Sequence, residues 1–74
     1  MTEGKKQSEL EDLIRGELAH AGIAHTNISV DPAGSIPPYY EWRVSPDPHM
    51  SHDEKVKLIT ITQRMRESYH LIDD

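Results

Sequence analysis

The sequence predicts an α+β fold: one small domain in the order helix, strand, strand, helix. Three observations lead there. Ser8-Glu9-Leu10-Glu11 and Ser51-His52-Asp53-Glu54 each carry the spacing of a helix-opening capping box, in which the serine hydroxyl accepts from a backbone N–H three residues on and the glutamate reaches back to the serine N–H. Two short runs between them, around Ile28 and around Trp42, alternate apolar with polar residues. A cluster of turn residues, Asp31-Pro32-Ala33-Gly34-Ser35, separates the two runs. Two helices packed on one face of a short antiparallel sheet satisfy this order.

Each element has its own signal. Residues 1–7 are polar and glycine-containing and read as a flexible tail ahead of a domain over 8–74. The first helix is expected over about Glu9 to Ala21, with Leu10, Leu13, Ile14, Leu18 and Ala21 forming an apolar stripe. Gly22 suits a left-handed stop, and Ile23 can fold back on the last turn. Gly16 fits either a close backbone approach or simple tolerance. The first strand is expected over His25 to Asp31, with Thr26, Ile28 and Val30 on its dry face. The second runs over Tyr39 to Ser45, delayed by Ile36-Pro37-Pro38 and directing Tyr40, Trp42 and Val44 inward. Val56 to Thr62 is rich in β-branched residues. The preceding box, the spacing of Leu58, Ile61, Met65, Tyr69 and Ile72, and the lack of Gly or Pro over 49–74 favour a helix from His52 to His70. A two-stranded sheet leaves open edges that invite a second copy or a partner strand, so a homodimer is one expectation.

Composition narrows function by exclusion. With 74 residues the chain buries about 60% of its unfolded surface, and without cysteine no disulfide or thiolate metal site supports it. A reducing cytoplasm is the expected compartment. No signal peptide is read at the N-terminus, and no apolar run reaches the roughly 20 residues of a membrane span. The net charge of −5 opposes phosphate backbones at long range, so direct nucleic-acid binding is not expected.

The chemically suggestive residues each have a plain structural reading. His49 and His52, beside Asp53 and Glu54, have donors that suit zinc or nickel, but the same residues suit a solvated helix start; no metal or cofactor is expected. Serine, histidine and acid are all present without a nucleophile elbow, so no enzyme and no catalytic residue is assigned. Arg43, Lys55, Lys57, Arg64 and Arg66 form a basic set that could meet phosphate, or remain a solvated stripe. The element order resembles KH domains, but neither Ala21-Gly22 nor Ala33-Gly34 supplies their GXXG clamp. It also resembles BolA-like regulators, in which a histidine helps hold an iron–sulfur cluster; His25 or His49 would take that part, without a flanking motif.

The remaining candidates concern partners. Ile36-Pro37-Pro38-Tyr39-Tyr40-Glu41-Trp42 holds the single tryptophan and two of three tyrosines, and Tyr39 with the Ile36–Pro38 tip is the expected exposed contact. Glu9, Asp12 and Glu17 on the first helix, with Asp31 and Glu41 on the sheet, form an acidic set able to imitate the phosphates of DNA on a basic groove.

The stretch Leu18-Ala19-His20-Ala21-Gly22-Ile23-Ala24-His25-Thr26-Asn27-Ile28-Ser29-Val30, followed by Glu41-Trp42-Arg43, resembles small acidic anti-CRISPR proteins of type I systems. Size, acidity, lack of cysteine and an α+β plan extend the resemblance. It implies a non-enzymatic inhibitor that binds a Cascade-type complex and blocks its access to DNA. Partner contact is then expected at Glu9, Asp12, Glu17, Asp31, Tyr39 and Glu41. The alternative is a small nucleic-acid or ribosome-associated regulator using the basic face of the last helix.

Overall fold

Six elements make up the fold in the computed structural model, which describes residues 2–36 and 39–72. They are β1 (Glu3–Lys5), α1 (Gln7–His20), β2 (Ser29–Pro32), β3 (Trp42–Ser45), α2 (His52–Ser68) and β4 (Tyr69–Leu71). The α+β class stands. The expected order gains a strand at each end, and the single antiparallel sheet is replaced by two small ones: β2 with β3 antiparallel, β1 with β4 parallel.

Both added strands come from one non-local pairing. Glu3, Gly4 and Lys5, read from sequence as tail, pair with Tyr69, His70 and Leu71. A Cβ on Gly4 would lie 2.7 Å from Ile72 Cγ2 and 3.1 Å from His70 Nε2, so glycine leaves room for these two side chains beside the pairing. Ile72 N–H donates to Lys5 C=O at 3.0 Å, and Thr2 Oγ1 lies 2.7 Å from His70 Nδ1. The C-terminal helix therefore stops at Ser68, two residues before the expected His70. Tyr39 joins the other side of β4: its N–H donates to Leu71 C=O at 2.7 Å and its C=O accepts from Leu71 N–H at 2.9 Å.

The α1 helix opens two residues early. Glu9 Oε1 accepts the Lys6 N–H at 3.2 Å, while the Lys6 ammonium has no lone pair to give in return. The Ser8–Glu11 box does not form because Glu11 is engaged elsewhere, on β2. At the C-terminus Gly22 has φ +78°. Ile23 N–H donates to Leu18 C=O at 2.9 Å and Gly22 N–H to Ala19 C=O at 3.0 Å, the Schellman pair of bonds. Nothing lies within 4 Å of a Cβ built on Gly16, so that glycine marks no close approach. The α2 box forms as expected: Glu54 N–H donates to Ser51 Oγ at 3.3 Å and Ser51 N–H to Glu54 Oε1 at 2.9 Å.

Trp42 is fully buried at the centre of the core, among Leu10, Ile14, Leu18, Val30, Leu58 and Leu71. Its Nε1–H donates to Tyr69 C=O at 3.3 Å, which ties β3 to β4. Leu13 and Ala21, expected on the inner stripe, are exposed.

A second, polar stripe on α1 does what the sheet does not. Gln7, Glu11 and Arg15 recur every four residues and so share one helix face. Gln7 Nε2 donates to Val30 C=O, and Glu11 Oε2 accepts Val30 N–H at 3.0 Å. Arg15 Nε donates to Thr26 C=O at 3.2 Å and Nη2 to Ile28 C=O at 3.4 Å. The outer edge of β2 and the extended segment before it are thus closed by side chains. The expected strand His25–Asp31 starts only at Ser29, because its partner β3 ends at Ser45 before Pro46 and the Asn27 N–H donates to the Asp47 side chain instead of a strand. No helix among the described residues is long and apolar enough to cross a membrane.

Candidate functional site

The acidic residues named from sequence lie on two different parts of the molecule. Glu9 and Asp12 are exposed and, with Lys5 and Leu13, line one shallow depression on the outside of α1. The Asp12 side chain is 79% exposed and lies 3.4 Å from Arg15 Nη1. Glu17 lines separate clefts between α1 and α2, where Arg64 and Ile61 are its neighbours. Asp31, exposed on β2, sits opposite Arg43 in register and accepts from Ser45 Oγ at 3.4 Å. Glu41 is exposed, and its C=O accepts from Ala33 N–H at 3.2 Å.

The aromatic segment differs from its predicted alternation. Tyr39 is half-buried and packs on the core, whereas Tyr40 is 62% exposed with its ring centroid 5.0 Å from that of His70. Tyr40 and Glu41 interrupt the strand, so Tyr39 and Trp42, three residues apart, both turn inward. One extra residue resets the period-two pattern and exchanges the roles of the two tyrosines. Ile36 is exposed as expected; Pro37 and Pro38 lie outside the described residues.

Two of the five histidines, His25 and His49, flank a structural carboxylate. Asp47 is buried, accepting His49 N–H on Oδ1 at 2.8 Å and Asn27 N–H on Oδ2 at 3.1 Å. These bonds, the one from His49 foremost, hold its carboxyl below the ordinary value of 3.8. The rings of His25 and His49 stand 6.1 Å apart beside it. Glu54 is likewise lowered, first by the Ser51 N–H, and so is engaged as a cap beside His52. Among the described residues no three metal-ligating side chains gather.

A concavity of about 450 Å³ lies between β3 and α2. Val44, Pro46, Leu58 and Ile59 give it an apolar lining; Arg43, Lys55 and Arg66 supply charge, and no acid lines it. Among the described residues ion pairs occur only at Lys5–Glu3 and Arg15–Asp12, so these three cations have no carboxylate partner there. Arg66 is held in place by its Nε–H, which donates to Trp42 C=O at 2.7 Å, with its guanidinium 5.9 Å from the Trp42 ring centroid. Its Nη donors stay available in a fixed orientation.

The basic set named from sequence therefore divides. Arg43, Lys55 and Arg66 share this groove, whereas Lys57 and Arg64 line the cleft that holds Glu17. Sequence reasoning found the cations but missed the apolar lining between them. Ile59, 57% exposed, was the available signal: a large aliphatic residue outside the helix's inward stripe. No family model matches the chain, and no curated protein or solved structure is significantly similar to it.

Proposed function

We propose that this chain is a non-enzymatic binding protein that inhibits a nucleic-acid-binding complex by covering its basic DNA-binding surface. The observation that carries the reading is the placement of Glu9 and Asp12. Both carboxylates are exposed on a rigid helix in one depression beside the half-exposed Leu13. Carboxylates fixed one helical turn apart can take the place of successive phosphates, and a partly exposed leucine adds apolar contact at their centre. Asp31 and Glu41, exposed on the β2–β3 hairpin, and Glu17, in the clefts toward α2, are separate acidic positions for further partner contact. The target implied by the resemblance to type I anti-CRISPR proteins is a Cascade-type surveillance complex.

The test is target-DNA binding by a purified Cascade-type complex, read by gel shift with increasing amounts of this protein. The reading expects DNA binding to be lost as the protein approaches stoichiometric amounts, and to return as salt rises. Glu9→Lys with Asp12→Lys should abolish the effect while the far-ultraviolet circular dichroism spectrum is unchanged. Undiminished DNA binding at a tenfold excess of protein overturns the reading. A second reading, a nucleic-acid regulator acting through α2, draws on the shared cleft of Lys57 and Arg64. It expects a short oligoribonucleotide to bind the wild-type chain and not Lys57→Glu with Arg64→Glu.

A further inference from the structure

We infer that the outer edge of β3 is a docking site for an extended acidic segment of a partner protein, which adds a strand beside Val44. The inference is independent of the acidic face of α1.

The backbone register provides the first argument. Val44 stands opposite Val30. Val30 N–H donates to Glu11 and Val30 C=O accepts from Gln7, so the two valines are not bonded to each other. They form a non-hydrogen-bonded pair, and the Val44 N–H and C=O point away from β2. Trp42, two residues earlier, has the same orientation, and its C=O meets Arg66 on that outer side. Pro32 opposite Trp42 fits this register, because its position requires no N–H. Among the described residues, neither the Val44 N–H nor the Val44 C=O has a side-chain partner of the kind that closes Val30.

The side chains around this edge define the occupant. Val44, Pro46, Leu58 and Ile59 offer apolar contact, and Arg43, Lys55 and Arg66 surround it with positive charge in a chain whose net charge is −5. An extended peptide supplies a C=O for Val44 N–H, an N–H for Val44 C=O, apolar side chains for the lining and carboxylates for the cations. A phosphate backbone has only acceptors and leaves both the Val44 C=O and the apolar lining unmatched. A second copy of this chain pairing β3 to β3 would place two sets of the same three cations face to face. Charged edges of this kind oppose self-pairing.

The test uses a fluorescein-labelled decapeptide of alternating glutamate and valine, with blocked ends, and the full chain labelled with nitrogen-15. The expected result is saturable binding by fluorescence anisotropy with the largest amide shifts at Val44 and its neighbours on β3. Arg43→Glu with Lys55→Glu should weaken binding at least tenfold, whereas Lys6→Glu, a charge reversal at an exposed site far along the sequence from the groove, should change it less than twofold. The same peptide with N-methylated valines keeps its charge but loses its donors, and should also bind at least tenfold more weakly. Several outcomes overturn the inference: no saturable binding, shifts centred on α1, equal binding of the N-methylated peptide, tighter binding of a short oligoribonucleotide in the same groove, or concentration-dependent dimerisation through β3.

Discussion

The two strands of the β2–β3 hairpin have outer edges of the same length and opposite treatment. Along β2, Gln7 and Glu11 of α1 take both backbone groups of Val30, and Arg15 takes the carbonyls of Thr26 and Ile28 just before it. Along β3, α2 supplies one bond, from Arg66 to Trp42 C=O, and leaves Val44 facing a cation-lined groove. Both helices pack on the same core. The difference lies in the polar residues beside their apolar stripes: α1 places an amide, a carboxylate and a guanidinium within reach of a strand edge. Around the β3 edge the groove presents Arg43, Lys55 and Arg66, and no carboxylate. An unpaired edge is a hazard for aggregation unless it is covered or charged. This protein uses one remedy on each side.

Breaking the hairpin itself is the severest challenge to the comparison. Trp42→Ala removes the largest fully buried side chain and the bond to Tyr69, and should lower stability by about 3–5 kcal/mol in urea titration, enough to leave a domain of this size largely unfolded. Glu11→Ala opens only the covered edge. It leaves Val30 N–H without its acceptor and should cost about 1–3 kcal/mol, whereas Glu11→Gln, which keeps an acceptor, should cost less. Gly16→Ala should instead stabilise α1 by roughly 0.5–1 kcal/mol, since a Cβ there meets open space.

Asp47 joins the two sides, binding Asn27 ahead of β2 and His49 behind β3. Its carboxyl lies below 3.8 in the folded state, so the folded state binds a proton less readily than the unfolded chain. The resulting stabilisation is fully present above the ordinary value and is lost as pH falls through the lowered one. Asp47→Asn should therefore be less stable than wild type at pH 7, and the gap should narrow below pH of about 4. Arg43→Gln should have the smallest effect, within about 0.5 kcal/mol, because the residue is exposed, makes no ion pair among the described residues, and a neutral side chain sets no like charge against Asp31 opposite it. A residue of little weight for folding beside an open edge is what a binding surface requires.

Local signals were legible in the sequence where they act locally. The Ser51 box, the Gly22 stop and the apolar positions Leu10, Ile14, Leu18, Ile28, Val30 and Trp42 all follow from spacing and residue chemistry. The strands β1 and β4 were not legible, because three residues such as Glu3-Gly4-Lys5 become a strand only when Tyr69–Leu71 lies beside them. The reversed tyrosines had the same kind of cause: one interrupting residue, invisible to a period-two reading, turned Tyr39 inward and Tyr40 out. Of the candidate surfaces, the acidic positions on α1 were readable as exposed. The β3 groove was readable only as cations, since its character depends on the unpaired backbone of Val44 and on Ile59 across from it.

The most direct test of this asymmetry is native-state amide hydrogen exchange at Val30 and Val44, two valines paired across one hairpin. The account predicts that the Val30 amide, held by Glu11, exchanges slowly, and that the Val44 amide exchanges at least tenfold faster. Equal protection of the two amides, or a Val44 slower than Val30, would mean that the β3 edge is already closed and would contradict the account.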